Sequence, residues 1–382
     1  MRLMHLADLH IGKKVNGYSM RKDQQYVLQQ VLDVADKEQV DGVVIAGDIY
    51  DKSVPAGEAV QLLDWFLTSL NEMQLPVYIV SGNHDSGQRL SFGAAMMKKT
   101  GIYMESIYDG KLEPIVLEDE WGPLNLYLLP FVKPIDVRTA LGTPDDCDDC
   151  ETIRTYDDAI AAVLQGTVID SKVRNVLVAH QFVTGATRCD SEDLSVGGID
   201  HVSASLFDAF DYVALGHIHG PQSMGRAEVR YAGTLLKYSF SEVDHDKSIT
   251  IIDFGQKGDV AIRTIPVQPL YDMRVIRGDY ATLMSPEFYG KQKKDDYLKI
   301  ILSNKEDVPE AMGRLSSVYS HIMVLEYERL KKEMRAYDGE GMIRDAKWPQ
   351  EYLAEFYEGL NGEAMTSYQE KILNSACKEI WG

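Results

Sequence analysis

Residues 43–51 read Val-Val-Ile-Ala-Gly-Asp-Ile-Tyr-Asp. An apolar, branched run stops at a glycine and gives way to two acids around an Ile-Tyr pair, the pattern of a buried strand that ends in a turn carrying polar side chains. The pattern occurs four more times. Residues 3–7 lead into Asp8-Leu9-His10, residues 77–80 into Gly82-Asn83-His84-Asp85, residues 176–179 into His180, and residues 212–215 into Gly216-His217-Ile218-His219. Ligands bind beyond the carboxyl ends of strands in open α/β sheets, so five such clusters can converge on one crevice. Together they offer two Asp, one Asn and four His as metal donors, with a fifth His to spare.

Alone, each cluster has a bland reading: a polar turn after a strand, or in the case of His180 a satisfied core histidine. Five strand ends that each carry the right donor remove that reading together. A mixed His/Asp/Asn set suits Mn²⁺ or a similar borderline ion better than Ca²⁺, which prefers all-oxygen cages, although the donors alone do not separate manganese from iron or zinc. Asp48 is the natural bridge, because one carboxylate can serve two ions.

The order D-x-H, G-D-x-x-D, G-N-H-D, H, G-H-x-H resembles that of the calcineurin-like metallophosphoesterases. Residues 80–92 (VSGNHDSGQRLSF), 178–183 (VAHQFV), 212–222 (YVALGHIHGPQ) and 236–242 (LKYSFSE) are similar to the bacterial SbcD family, the nuclease subunit of the SbcCD double-strand exonuclease complex. The resemblance implies two divalent ions, one held by Asp8, His10, Asp48 and His219, the other by Asp48, Asn83, His180 and His217. It also implies that His84 donates a proton to the leaving 3′ oxygen; Asp51, three residues after Asp48, is read as the carboxylate that hydrogen-bonds His84 and holds its imidazolium form. Asp85 reads as a turn-forming or supporting residue rather than a catalytic one. By the same resemblance the chain works with an SbcC-like coiled-coil ATPase, as a homodimer within a 2:2 complex, on double- and single-stranded DNA. The activity implied is ATP-stimulated 3′→5′ exonuclease with endonuclease action on hairpins and single strands, in DNA repair, replication and recombination. The chain has no G-x-x-x-x-G-K-[ST] motif, so any ATP dependence comes from another subunit.

The charge balance pulls the other way. With 39 Lys and Arg against 59 Asp and Glu, the chain carries −20, whereas a protein that grips DNA unaided presents a basic surface. Two divalent cations would cancel only about four of those charges. Either the substrate is a nucleotide, small phosphate or phosphoprotein, or a partner supplies much of the grip; a third reading is a scaffold whose metal site has lost catalysis. Lys13-Lys14 and Arg21-Lys22, with Arg89, are the candidate phosphate contacts, and solvated surface is their competing reading.

The expected fold is α/β: a two-sheet β-sandwich flanked by helices over residues 1–265, a small α+β capping domain over 266–345, and a helical pair over 346–382. Helices are expected over 21–38, with Val27, Val31, Val34 and Ala35 on one face, and around Val60, Leu63, Leu67 and Leu70. Residues 124–129, 229–232 and 249–254 are read as a second sheet with no comparable helices between them. Pro266 and Pro269 mark the next boundary. Beyond it three strands are expected at 271–276, 297–302 and 321–327, with a helix opened near Asp307, Pro309 and Glu310. Tyr352, Leu353, Phe356, Tyr357 and Leu360, then Met365, Tyr368 and Ile372, form two apolar stripes. These either fold back on their own domain or, as the resemblance implies, dock a partner coiled coil. The four cysteines suggest reduced thiols, and Cys147 and Cys150 form a lone C-x-x-C. With no apolar run near the ~20 residues of a membrane span and a metal motif already at Asp8, the expected location is cytoplasmic and nucleoid-associated, without membrane contact.

Overall fold

The computed structural model describes residues 1–142, 152–192, 201–328, 353, 354, 357 and 364–381. The described chain forms two compact units, Met1–Glu326 and Tyr327–Gly382.

Two six-stranded sheets build the first unit. One runs, edge to edge, Val260–Pro266, Ser248–Phe254, Arg2–Leu6, Gly42–Ala46, Val77–Val80, Ile102–Glu105. Its last four strands are mutually parallel, and Ser248–Phe254 joins Arg2–Leu6 antiparallel. The other runs Gln222–Met224, Arg226–Tyr231, Tyr212–Gly216, Arg174–His180, Gly122–Leu129, Ile115–Asp119. The strands alternate between two apolar environments, as sheets covered on both faces must. Val44, Ala46, Val80, Leu124, Leu126, Val176 and Val178 meet between the sheets. Val43, Ile45 and Ile79 turn outward to the helices Arg21–Glu38 and Gly57–Glu72, while Tyr127, Leu129 and Leu177 turn outward to Pro134–Leu141 and Tyr156–Gln165. The result is the expected sandwich flanked by helices.

Several expectations change in detail. Ser248–Phe254 belongs to the first sheet, because its partner strand lies at the chain start. Helices do intervene between Gly122–Leu129 and Arg174–His180; the second opens with a capping box in which Thr155 and Asp158 exchange hydrogen bonds. The buried stripe of Gly57–Glu72 is Ala59, Leu62, Leu63, Phe66, Leu67 and Leu70, and Val60 is exposed. The buried face of Arg21–Glu38 takes in Leu28 and Leu32 and begins with two polar residues, Asp23 and Gln24.

A three-stranded sheet of Met273–Gly278, Tyr297–Leu302 and His321–Tyr327 completes the first unit. The boundary expected near 266 therefore falls inside Met1–Glu326. A short helix, Ala311–Leu315, follows Glu310 as anticipated. In the second unit the helix Ser367–Trp381 carries Tyr368 and Ile372 exposed. Leu353 is also exposed, Met365 is half-buried, and half-buried Tyr357 accepts a hydrogen bond from Gln369 at 2.9 Å. Tyr352, Phe356, Leu360, Cys147 and Cys150 lie outside the described residues.

Candidate metal centre

All five polar clusters sit at the carboxyl ends of adjacent strands: Arg2–Leu6, Gly42–Ala46 and Val77–Val80 in one sheet, Arg174–His180 and Tyr212–Gly216 in the other. The two sheet ends meet there because the motif glycines allow close approach. A methyl group on Gly216 would be driven into the Ala46 carbonyl oxygen, and one on Gly82 into the Asp48 carboxylate. Gly216→Ala is expected to cost about 1–3 kcal/mol through overpacking, read by chemical denaturation, and to weaken metal binding in the same variant; an unchanged midpoint would contradict this packing account. Asp8, His10, Asp48 and His217 adopt φ of +53°, +43°, +48° and +107°. Left-handed backbone in non-glycine residues costs about 1–3 kcal/mol each and gathers where the surrounding structure fixes a functional geometry.

The second layer sets which ring nitrogens face inward. His180 Nδ1 lies 2.9 Å from the Ala46 carbonyl and must donate to it, leaving Nε2 bare. That nitrogen lies 2.9 Å from Asn83 Oδ1 and 3.5 Å from Asp48 Oδ2, and Asn83 Oδ1 is also 3.0 Å from His217 Nδ1. On the other side, the Ser191 hydroxyl donates to Glu242 at 2.6 Å and so accepts from His219 Nδ1 at 2.7 Å. His219 Nε2 then faces His10 Nε2 at 3.0 Å, with Asp48 Oδ2 3.6 Å from the latter. Buried Asp8 Oδ2 has no hydrogen-bond partner. Ring nitrogens and carboxylate oxygens thus gather on either side of Asp48, a mixed donor set of the kind divalent cations take. The donor set fits divalent metals: Asp8, His10 and His219 form one compact group, and Asp8, Asp48 and His180 form another.

Electrostatics agrees. Burial lowers His180 to about 3, and burial aided by His219 and Lys13 holds His10 well below its usual value. Burial pushes the Asp48 carboxyl up to about 6, and burial with the Asp48 charge beside it raises Asp8 well above the carboxylate range. The His10 and His180 imidazoles are thus held as neutral ligands, whereas burial makes the Asp8 and Asp48 carboxyls hold their protons more tightly than usual, protons that a metal must displace. Metal affinity is expected to fall as pH drops through about 6, with proton release on binding near that pH. Calorimetric titration of Mn²⁺ in two buffers of different ionisation enthalpy checks this; a buffer-independent heat would contradict it.

The remaining candidates divide. Asp85 closes the turn by accepting from the Ile49, Tyr50 and Gly82 N–H groups, the supporting place expected for it. His84 is partly open, and its Nε2 stands 3.9 Å from Asp48 Oδ2. Its Nδ1 lies 3.0 Å from the main-chain carbonyl of Asp51. The expected partnership between His84 and the Asp51 side chain is corrected accordingly: the Asp51 carboxylate accepts from Lys13 Nζ at 2.7 Å. Lys13 is thereby half-buried and drawn toward the centre, whereas Lys14, Lys22 and Arg89 are exposed and Arg21 pairs with Glu58 at 2.9 Å on the surface. A cavity of about 480 Å³ lined by Asn83, Asp85, Gln88, Phe131 and Lys133 opens beside the donors.

Sequence reading passed over the residues behind His219. Glu192 accepts its N–H at 2.7 Å, and Lys247 donates to its carbonyl at 2.9 Å and to Glu242 at 2.5 Å. Burial alone would raise the Glu242 carboxyl, but His219 and Lys247 beside it hold it well below the carboxylate range. Glu242 closes the family-like stretch 236–242, the one signal in the sequence that pointed to it.

Fold and donor set together define a calcineurin-like phosphoesterase, and the family model of that description matches residues 1–221. A second model, described as the type 5 capsule protein repressor C-terminal domain, matches residues 269–359. The chain is 33% identical over 329 residues to the SbcD subunit of nuclease SbcCD from Staphylococcus epidermidis, covering 85% of each chain. It is 31% identical over 396 aligned positions to the SbcD subunit of nuclease SbcCD from Staphylococcus saprophyticus, covering 99% of each. The chain belongs to the SbcD family of calcineurin-like phosphoesterases. Among solved structures, a dimetal phosphatase from Danio rerio is similar at 13% identity and a TM-score of 0.39, over 70% of this chain and 96% of that one.

Proposed function

We propose that this chain is the metal-dependent nuclease subunit of an SbcCD-type complex, acting on DNA with an SbcC-like ATPase. The observation that carries this reading is likeness to the SbcD subunit of nuclease SbcCD along essentially the whole chain, together with a donor set suited to divalent metal. Two Mn²⁺ ions are the proposed complement, with Asp48 shared between the Asp8, His10, His219 set and the Asn83, His180, His217 set. When bound, the ions supply charge neutralisation at the phosphate and an activated water.

The chain's own residues do the rest. Asp48 Oδ1 accepts the His84 N–H at 2.9 Å and Asp8 Oδ1 accepts the His217 N–H at 2.9 Å, so each carboxylate is oriented by a backbone amide from another cluster. The Asp51 carbonyl holds His84 Nδ1–H, leaving Nε2, 3.9 Å from Asp48 Oδ2, to hand a proton to the departing 3′ oxygen. Asp51 thus acts through its main chain and through Lys13. Lys14, Arg21, Lys22 and Arg89 are proposed phosphate contacts outside the centre.

Residues 1–265 are the proposed nuclease domain, 266–345 the capping domain that shapes the DNA path, and 346–382 the segment that docks the ATPase. Exposed Leu353, Tyr368 and Ile372 support the docking role. Exposed Val60, Phe92 and Met96 leave apolar surface for a second copy within a 2:2 assembly. Among the described residues no helix is long and apolar enough to cross a membrane, and a cytoplasmic, nucleoid-associated location is part of the proposal. The net charge of −20 favours a second reading, a phosphoesterase of nucleotides or other small phosphates.

The two readings separate in one assay. Protein with Mn²⁺ is incubated with a blunt duplex, a hairpin, a single strand and a small aryl phosphodiester, with and without the ATPase partner. DNA cleavage that stops on chelation is expected. Turnover of the small ester with intact DNA, even with the partner present, would overturn the nuclease reading.

A further inference from the structure

The loop bearing Asp8 and His10 is held in its left-handed conformation from behind by two buried side chains far apart in sequence. Gln24 Nε2 donates to the His10 carbonyl at 2.7 Å and to the Tyr238 hydroxyl at 3.0 Å, while its Oε1 accepts from the Gly12 N–H at 3.0 Å. Tyr238 passes its own proton to the Leu9 carbonyl at 2.9 Å, and its ring meets His10 edge-on at 5.8 Å. Gln24 is 2% exposed and Tyr238 5%. Polar groups that deeply buried stay only where their hydrogen bonds are satisfied, and here those bonds run to the metal-binding loop and to each other.

The residues immediately before these two reach in another direction. Asp23 accepts from the Tyr297 hydroxyl at 2.8 Å, and Lys237 Nζ donates to Asp272 at 3.0 Å. Tyr297 opens the middle strand of the three-stranded sheet, and Asp272 immediately precedes its first strand. A longer contact, from the Tyr18 hydroxyl to the Ile322 carbonyl at 3.4 Å, joins the third strand to the hairpin just after the loop. A cavity of about 550 Å³ lined by Met20, Leu236, Lys237, Lys247, Asp272 and Tyr297 lies beside these contacts, so packing there is incomplete and the hydrogen bonds are the directional links.

We propose that Gln24 and Tyr238 are positioning residues for the Asp8–His10 loop, and that Asp23–Tyr297 and Lys237–Asp272 make metal affinity at that loop depend on how the three-stranded sheet is seated. Each link lands on the chain neighbour of a bracing residue: Asp23 next to Gln24 on the first turn of one helix, Lys237 next to Tyr238. A displacement of the sheet is therefore delivered to the Leu9 and His10 carbonyls through one residue of backbone on each side. The inference rests on the metal-centre reading and deepens it.

The test uses full-length, metal-stripped protein titrated with Mn²⁺, with free Mn²⁺ followed by electron paramagnetic resonance, so that no activity is needed. Tyr297→Phe removes one hydroxyl that touches no metal donor and is expected to weaken Mn²⁺ binding about fivefold, of the order of one lost hydrogen bond; Lys237→Met, which removes the ion pair to Asp272, is expected to weaken it at least as much. Tyr319→Phe is the matched control, because its hydroxyl donates at 2.8 Å to the Leu283 carbonyl and reaches no bracing residue. It should lower the melting temperature comparably and leave Mn²⁺ affinity unchanged. Gln24→Met and Tyr238→Phe should weaken binding further than Tyr297→Phe. Tyr297→Phe and Lys237→Met variants that match Tyr319→Phe in Mn²⁺ affinity would overturn the coupling while leaving the metal centre standing. Failure of the wild type to bind Mn²⁺ would overturn the metal-centre reading itself.

Discussion

His84→Ala is expected to lower the rate of DNA cleavage by about 10²–10⁴-fold, the range for loss of a positioned general acid, with Mn²⁺ stoichiometry retained. The geometry supports this split. His84 is anchored through Nδ1 to a main-chain carbonyl, and its partly open ring turns Nε2 toward the centre, 3.9 Å from Asp48 Oδ2. The Asp51 carbonyl accepts from Nδ1–H at 3.0 Å, which fixes the orientation of the ring and leaves Nε2 as the nitrogen that can pass a proton. The size of the effect should follow the leaving group. A 3′ alkoxide is a poor leaving group and needs that proton, whereas a nitrophenolate departs with little help. The variant should therefore lose far more activity on DNA than on bis-p-nitrophenyl phosphate, and equal losses on the two substrates would contradict the acid role.

Asp48→Asn is the second large effect. Asn retains an oxygen for the His84 N–H but removes the charge that stands 3.5–3.9 Å from His10, His84 and His180. Activity should fall to the metal-free baseline. In the wild type, Mn²⁺ at 100 times its Kd should stabilise the fold by about 2.7 kcal/mol per site, and the variant should lose most of that increment. Without metal the sign reverses. Burial already pushes the Asp48 carboxyl up to about 6, and burial, with the Asp48 charge added to it, raises Asp8 and Asp85 in turn. Removing it should leave the metal-free protein as stable as the wild type or more so near pH 7. Melting curves with and without Mn²⁺ measure both arms, and a variant that still gained the full metal-induced shift would contradict the bridging role.

The candidate metal centre was legible in sequence because its information is local. Each ligand cluster follows a run of four or five apolar residues, so strand, turn and donor are written consecutively, and the parallel order of the strands brings the ends together. What surrounds the donors was less legible, for reasons visible in particular residues. Gln24 and Asp23 interrupt the apolar face of a helix, which reads as surface unless the buried partners Tyr238 and Tyr297 are known. Glu242 and Lys247 read as ordinary charges, and only the fold buries them together behind His219. The antiparallel addition of Ser248–Phe254 to Arg2–Leu6 depends on pairing across almost 250 residues, which no local pattern encodes. Asp51 shows a finer limit. Its position beside His84 was readable, but spacing does not distinguish a carboxylate from the carbonyl of the same residue, and the carbonyl makes the contact.

The acidic charge keeps its meaning at the level of substrate. Lys13 is engaged with Asp51 and Arg21 with Glu58, so of the candidate phosphate contacts Lys14, Lys22 and Arg89 are exposed outright and Arg21 is exposed but shared with Glu58. An exposed pair such as Arg21–Glu58 is worth little and exchanges readily. A DNA grip that depends heavily on the ATPase partner is what this distribution predicts.

That five strand-end clusters assemble a dinuclear metal centre around Asp48 is open to anomalous diffraction from crystals grown with Mn²⁺. Two peaks are predicted, one ringed by Asp8, His10, Asp48 and His219, the other by Asp48, Asn83, His180 and His217. A single peak, or none at these residues in fully loaded crystals, would contradict the dinuclear centre.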